Sequence, residues 1–322
     1  MKKSIFLLLL GLSFLSLSVS SQSAGKCLSG DCKNGQGEMQ FPNGDVFKGP
    51  FKNGQPNGTG IYTFKAGIIF EGNFTNGKMA ATGKLTYTNG DIYEGAIKNG
   101  AKEGKGVMIY AKGGSYDGEW KANARNGIGK YDIYSQGKAY GVYEGRHVNN
   151  KMETLPKDTA KLTYANGNIY LGEFKENKRN GMGQLNAAGT IYTGRFIDDK
   201  FGTNPGEKAK MEYSNKDVFE GEFKDGKRTG KGILKFANSD VYEGDFLENK
   251  RTGKGKLTLS SGDLYEGDFL DDAITGKGKI KLKNGGKYDG DWLNGKYNGQ
   301  GTYTDPNGTV QTGKWENGEF KG

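Results

Sequence analysis

The residue types able to do chemistry are either scarce or evenly repeated along this 322-residue chain. There is one histidine, His147. A nucleophile needs a base within hydrogen-bond reach, so one histidine leaves a single place for such a pair. His147 stands where the second ring of a recurring aromatic-x-Gly-x-aromatic unit belongs, which makes it a substitute for phenylalanine. Cys27 and Cys32 are too few for a zinc site, which wants four ligands. In an exported chain they most simply form one short-loop disulfide. Carboxylates abound, but pairs such as Glu220 and Glu222 recur in nearly every unit beside lysines such as Lys231. A glycosidase needs one special pair in a cleft; a ladder of equivalent pairs reads as a solvated face. Triplets such as Gly58-Thr59-Gly60 resemble fragments of phosphate loops, yet no helix follows them, so the nucleotide reading lacks its context. Asp271-Asp272 lacks the ligand spacing of a calcium loop. These residues assign no catalytic, cofactor or metal site, and a non-enzyme is expected.

Composition narrows the elements that could carry such residues. The chain holds 56 glycines and 6 prolines, with 34% hydrophobic and 12% aromatic residues. Glycine at that level without a period of three is not collagen. With aliphatic residues scarce, the apolar surface must be built mainly from rings. Residues 1–24 stand apart. Lys2 and Lys3 precede an apolar stretch from Ile5 to Leu17, followed by the small residues Ser20, Ser21, Ser23 and Ala24. That is the layout of a secretory signal peptide, and it is short for a membrane span. It predicts an exported protein, periplasmic or secreted, cleaved at Ser21, Ser23 or Ala24. Lys26 before Cys27 argues against lipidation. The net charge is +9, two units of which come from Lys2 and Lys3. This scattered excess fits a solvated surface or attraction to anionic lipid or an envelope polymer; no nucleic-acid partner is expected.

The central glycine of the aromatic-x-Gly-x-aromatic unit recurs from Gly49 to Gly313, mostly every 23 residues, with three spacings of 27 and one of 22. Internal periodicity of this kind is the mark of a repeat array. Pairs such as Asn53-Gly54, Asp225-Gly226 and Asn294-Gly295 accept positive φ and suit tight hairpins. Each unit therefore reads as two antiparallel strands, about 24 strands in all. The expected fold is all-β, an elongated single-layer twisted antiparallel sheet of tandem hairpins. Its divisions are the leader 1–24, a cysteine-bearing segment 25–34 and an array 35–322 of about twelve repeats.

Alternation assigns two faces, since residues i, i+2 and i+4 share a side of a strand. Tyr242, Gly244 and Phe246 point one way, while Glu243 and Asp245 point the other. On the next strand Gly253, Gly255, Leu257 and Leu259 share a face, opposite Lys254 and Lys256. Glycine within a strand is tolerated where something must approach closely, so rings of one strand are expected to lie flat over bare glycine of the next.

The units Tyr93 to Gly106, Tyr116 to Gly129, Phe219 to Gly232, Tyr242 to Gly255, Tyr265 to Gly278 and Tyr288 to Gly301 resemble MORN repeats. The resemblance implies an open-grooved single-layer sheet and a scaffolding or membrane-associated role. Departures include Ile97 and His147 at the second ring, Gln311 at the first, and Ala160 and Ala209 for the first glycine of Gly-x-Gly. A trough lined by Tyr93, Tyr116, Trp120, Tyr170, Phe174, Phe219, Phe223, Tyr242, Phe246, Tyr265, Phe269, Tyr288 and Trp292 offers either a platform for a partner or rings that bury one another. Three units carry four extra residues, near Ser135-Gln136-Gly137, Met152 to Asp158, and Asp199 to Glu207. The last two loops are expected on one edge, with Lys157, Asp158, Asn204 and Lys208 as contact candidates. The leading expectation is an extracytoplasmic scaffold for a protein partner, with anionic lipid or an envelope polymer as the alternative. An open edge from Trp315 to Phe320 would also allow a homodimer.

Overall fold

The computed structural model describes residues 25–156 and 158–322. The proposed leader, residues 1–24, and Lys157 lie outside them. The chain divides into two compact units, one ending at Thr154 and the other running from Leu155 to Gly322. Among the described residues there is no helix. Each unit is an antiparallel hairpin meander, so the all-β reading holds.

The first unit opens with Lys26–Gly30 paired to Gln36–Gln40 and closes with Lys151–Met152 after the long hairpin Ala124–Ser135 and Lys138–Val148. The second runs from Ala160–Tyr164 to Glu319–Phe320. The strands outnumber the expected two per repeat for a local reason. Where a second strand is interrupted, a two-residue piece such as Gln55–Pro56 or Lys200–Phe201 still pairs across the tight turn. The tight turns carry two consecutive residues at positive φ, as in Asn249 (φ 74°) and the preceding Glu248 (φ 50°). This is the hairpin geometry whose twist matches that of the strands.

The pairing corrects one part of the alternation. Gly244 faces Gly255, but Asp245 faces Thr252, so a bulge adds residues to the second strand. Gly253 sits in that bulge at φ +57°, where a side chain would be strained. Gly253 and Gly255 therefore do not continue one regular alternation. The bulge strands two backbone groups, and side chains of the repeat satisfy them. The Tyr242 hydroxyl donates to the Asp245 carbonyl at 3.1 Å, and the Asp245 carboxylate accepts the Lys254 backbone N–H at 3.3 Å. The Asp of the repeat thus does more than solvate a face.

The end of the last strand also differs from expectation. Trp315 and Glu316 pair with Phe320 and Glu319, and the Lys314 N–H donates to Gly322 at 2.7 Å. That part of the edge is covered by the chain's own tail.

Candidate interaction surfaces

The rings form the core of each unit. All thirteen trough aromatics of the sequence analysis, from Tyr93 to Trp292, are buried, between 0% and 6% exposed. Packing explains why. Tyr242 lies across the facing glycines: a Cβ on Gly255 would stand 2.4 Å from its Cε2, and one on Gly244 2.4 Å from its hydroxyl. The same ring meets Phe246 and Phe269 edge-on, at 5.2 and 4.9 Å between centroids. Tyr265 repeats this with Phe269 and Trp292, and Tyr288 with Trp292 and Trp315. Edge-to-face pairs contribute about 0.5–1.5 kcal/mol each beyond the area they bury. No open ring platform is left at these positions, and of the two roles weighed for the trough, mutual burial describes them.

Arginines seal the same rings, a role that sequence reasoning missed. The Arg251 guanidinium sits 5.5 Å from the Tyr242 centroid and 5.4 Å from that of Phe269. It donates to the Asp272 carbonyl at 2.8 Å and pairs with its carboxylate at 3.1 Å, tying one hairpin to the next. Arg228 does the same over Phe219 and Phe246, with Asn249 as acceptor. The available signal was an arginine two residues past the tight turn, directly opposite the second ring, as Phe246 faces Arg251. In the first unit Arg125 takes this place opposite Trp120, 3.9 Å from the Tyr131 centroid, and Lys102 takes it one repeat earlier, 4.6 Å from the Trp120 centroid, where burial pushes its ammonium down to about 8.

His147 occupies its ring slot fully buried, edge-on to Tyr116 and Tyr143 at 5.0 Å each. Burial, with the Arg125 guanidinium nearby, pushes its pKa down to about 3. An imidazole held neutral inside a ring stack is packing.

The charged face of the second unit is open. A groove of about 810 Å³ crosses it, walled by Lys231, Lys254, Lys256, Lys277, Lys279, Glu243, Glu266 and Asp289, with paired glycines between them. Lys231–Asp245, Lys254–Asp268 and Lys277–Asp291 each close to 2.6 Å. A second row pairs Lys256 with Glu266 at 3.6 Å and Lys279 with Asp289 at 2.8 Å. Hydrogen bonding from Lys277 holds the Asp291 carboxyl below its usual range. Solvated pairs of this kind contribute little stability, so their regularity is a surface property. Beside them Leu247, Leu270 and Leu293 are 60%, 59% and 49% exposed. They fall at the same place in successive repeats, hence roughly 10 Å apart at two strand spacings.

The predicted loop residues are placed unequally. Lys208 lines the groove. Asn204 belongs to a loop held by Arg195, whose guanidinium grips both Glu207 oxygens at 2.9 Å. Asn204 donates to Glu207 through its backbone N–H at 3.1 Å. The hydrogen bonds from Arg195 hold the Glu207 carboxyl down to about 2. This loop walls a cavity of about 570 Å³ with Thr203, Pro205, Phe223 and Thr229. Asp158 is half-buried and its N–H donates to Leu155 at 2.9 Å, in the loop where the two units divide. Cys27 and Cys32 are joined, S–S 2.08 Å, tying the first strand to the turn that follows it.

Among curated proteins none matches the chain. Among solved structures, the chain is similar to the TCP10 domain of Danio rerio CPAP in complex with a peptide of Danio rerio STIL. That likeness is at 12% identity and a TM-score of 0.27, covering 86% of this chain and 98% of that one. It is also similar to the SAS-4 (dCPAP) TCP domain of Drosophila melanogaster in complex with a proline-rich motif of Ana2 (dSTIL). Here identity is 16% and the TM-score 0.31, covering 50% of this chain and 88% of that one. The MORN-repeat family model matches residues 32–46, 47–68, 70–92, 93–115, 116–138, 170–186, 219–241, 242–264, 265–287 and 288–310. The stretches it passes over hold the loops at Met152 to Asp158 and Asp199 to Glu207. Ten matched segments make up more than half of the sequence, and the chain belongs to the MORN-repeat family.

Proposed function

We propose that this MORN-repeat chain is an extracytoplasmic, non-catalytic scaffold that binds a protein segment across the charged face of its second unit. Membership in the family points to a binding or scaffolding role. The observation that carries the finer reading is the groove of about 810 Å³ and the exposed leucine row beside it. A partner lying across the strands would set apolar side chains on Leu247, Leu270 and Leu293 and charges of both signs against the ion-pair rows. Lys208 brings the latched loop to the same groove. The extracytoplasmic placement rests on the leader-like Lys2 to Ala24 segment alone.

Photo-crosslinking in the intact cell envelope tests the reading. A photoreactive residue at Leu270 and one at Lys256 should capture the same protein. One at Lys216, on the opposite turn edge, should not, and Leu247→Asp with Leu293→Asp should abolish capture. Equal capture from Lys216, or capture indifferent to the aspartates, would sink the groove assignment. N-terminal sequencing of the mature chain tests export, with a start between Ser21 and Gly25 expected.

A further inference from the structure

One pair of lysines breaks the pattern of the charged face. On the strands Ala273–Lys281 and Lys287–Leu293, Lys281 stands directly opposite Lys287 in the antiparallel register. Like charges directly opposite one another destabilise a strand pair. Nearby lysines on this face, Lys254, Lys256, Lys277 and Lys279, each have a carboxylate within 3.6 Å. Lys281 and Lys287 are both exposed, and neither has such a partner among the described residues. The two acids that line the same hollow are already paired: Asp289 to Lys279 at 2.8 Å and Glu266 to Lys256 at 3.6 Å. Elsewhere in this row a charged residue faces a neutral one, as Lys235 faces Val241, or both are neutral, as where Val241 faces Thr258 and Thr258 faces Leu264. The fold therefore does not require lysine here.

The two ammonium groups also share a concavity. A cavity of about 530 Å³ is lined by Lys281 and Lys287 together with Leu264, Ile280, Thr302 and Thr304. It adjoins the groove through Lys279, Asp289 and Glu266. Two ammonium groups bring two positive charges and six donors, and the Thr304 hydroxyl adds another. A dianion with several terminal oxygens neutralises both lysines at once, and hydrogen bonds to charged groups are the strong ones. A single carboxylate would leave one charge over.

We propose that Lys281 and Lys287 form a binding subsite for a dianionic phosphate group, either free phosphate or a phosphomonoester. The site stands apart from the protein-partner reading and holds whether or not a protein occupies the groove.

The test uses inorganic phosphate at fixed ionic strength, with chloride as the balancing anion, and follows the lysine ammonium signals of the full chain by NMR. Saturable shifts should concentrate at Lys281 and Lys287. Lys281→Thr and Lys287→Leu place residue types that the fold already accepts in this row. Each should weaken phosphate binding by about tenfold or more, the loss of one charge-assisted contact, without changing thermal stability. Shifts spread evenly over lysines such as Lys200 and Lys250, or unchanged binding in the variants, would overturn the proposal. Vesicles of phosphatidic acid in phosphatidylcholine separate the sources. Sedimentation with them that free phosphate competes away, and that the double variant loses, assigns a lipid phosphomonoester; saturable phosphate shifts without sedimentation assign a soluble one.

Discussion

The ring of Tyr242 rests on Gly255 so closely that a Cβ there would stand 2.4 Å from its Cε2. Phe246 and Phe269 hold that ring from two sides, at 5.2 and 4.9 Å. The ring has nowhere to retreat, and the same contact recurs at Gly232 under Phe219, Gly278 under Tyr265 and Gly301 under Tyr288. Gly255→Ala should destabilise the second unit by about 2–3 kcal/mol, in the range of overpacked cores. Urea unfolding followed by tryptophan fluorescence measures it. An alanine variant as stable as the parent would mean that the ring is free to move.

The hydroxyl of the same residue answers to the bulge. Tyr242→Phe keeps the ring, as Phe219 does in the preceding repeat, but strips the Asp245 carbonyl of its donor. The expected loss is about 1 kcal/mol, that of one partly buried hydrogen bond. Comparison of Tyr242→Phe with Tyr242→Leu by thermal unfolding separates bond from ring, and the leucine should cost about 2 kcal/mol more.

His147 makes the first unit sensitive to acid. Its imidazole has an ordinary pKa of 6.5 and is pushed down to about 3 in the fold. The unfolded chain binds the proton first, so stability is full above 6.5 and falls as pH drops toward 3. At pH 4.5 the loss is about 3 kcal/mol, at 1.4 kcal/mol per unit. His147→Phe should remove this dependence. Melting curves of parent and variant between pH 7.5 and 4.5 read it, and parallel pH slopes would contradict the burial of a neutral imidazole.

The loop at Asn204 should stay closed in mild acid. Glu207 has an ordinary value of 4.5 and is held down to about 2 by Arg195. Its contribution is complete above 4.5 and is lost progressively as pH falls from there through 2. Amide exchange at Asn204 should therefore remain slow at pH 4, while Glu207→Gln should quicken it about tenfold at every pH, the loss of a charge-assisted contact.

Much of this architecture was legible in the chain. The spacing of Gly244, Gly267 and Gly290 announces the repeat, and ring-on-glycine packing follows from the residue types. Depth was not legible. Alternation says which way Tyr242 points but not whether anything covers it, and the covering groups come from the adjoining repeats, Phe269 ahead and Arg251 beside. The bulge was hidden for a related reason. Gly253 and Gly255 obey a period of two on paper, and only the pairing of Asp245 with Thr252 shows the two added residues. The role of Arg251 was not legible because it depends on the ring opposite it. The charged groove was legible as a ladder of lysine and carboxylate. The exposed row of Leu247, Leu270 and Leu293 carried a 23-residue period in plain view, yet it sat outside the aromatic-x-Gly-x-aromatic unit that defined the repeat.

The central claim is that rings make the core and that the charged face with its leucine row is the surface left for a partner. Hydroxyl-radical footprinting of the intact chain, with each residue normalised to its rate in the unfolded chain, tests it directly. Leu247, Leu270 and Leu293 should oxidise at close to unfolded rates, while Tyr242, Tyr265 and Tyr288 stay protected. Tyrosines oxidised as fast as in the unfolded chain, beside protected leucines, would contradict the account.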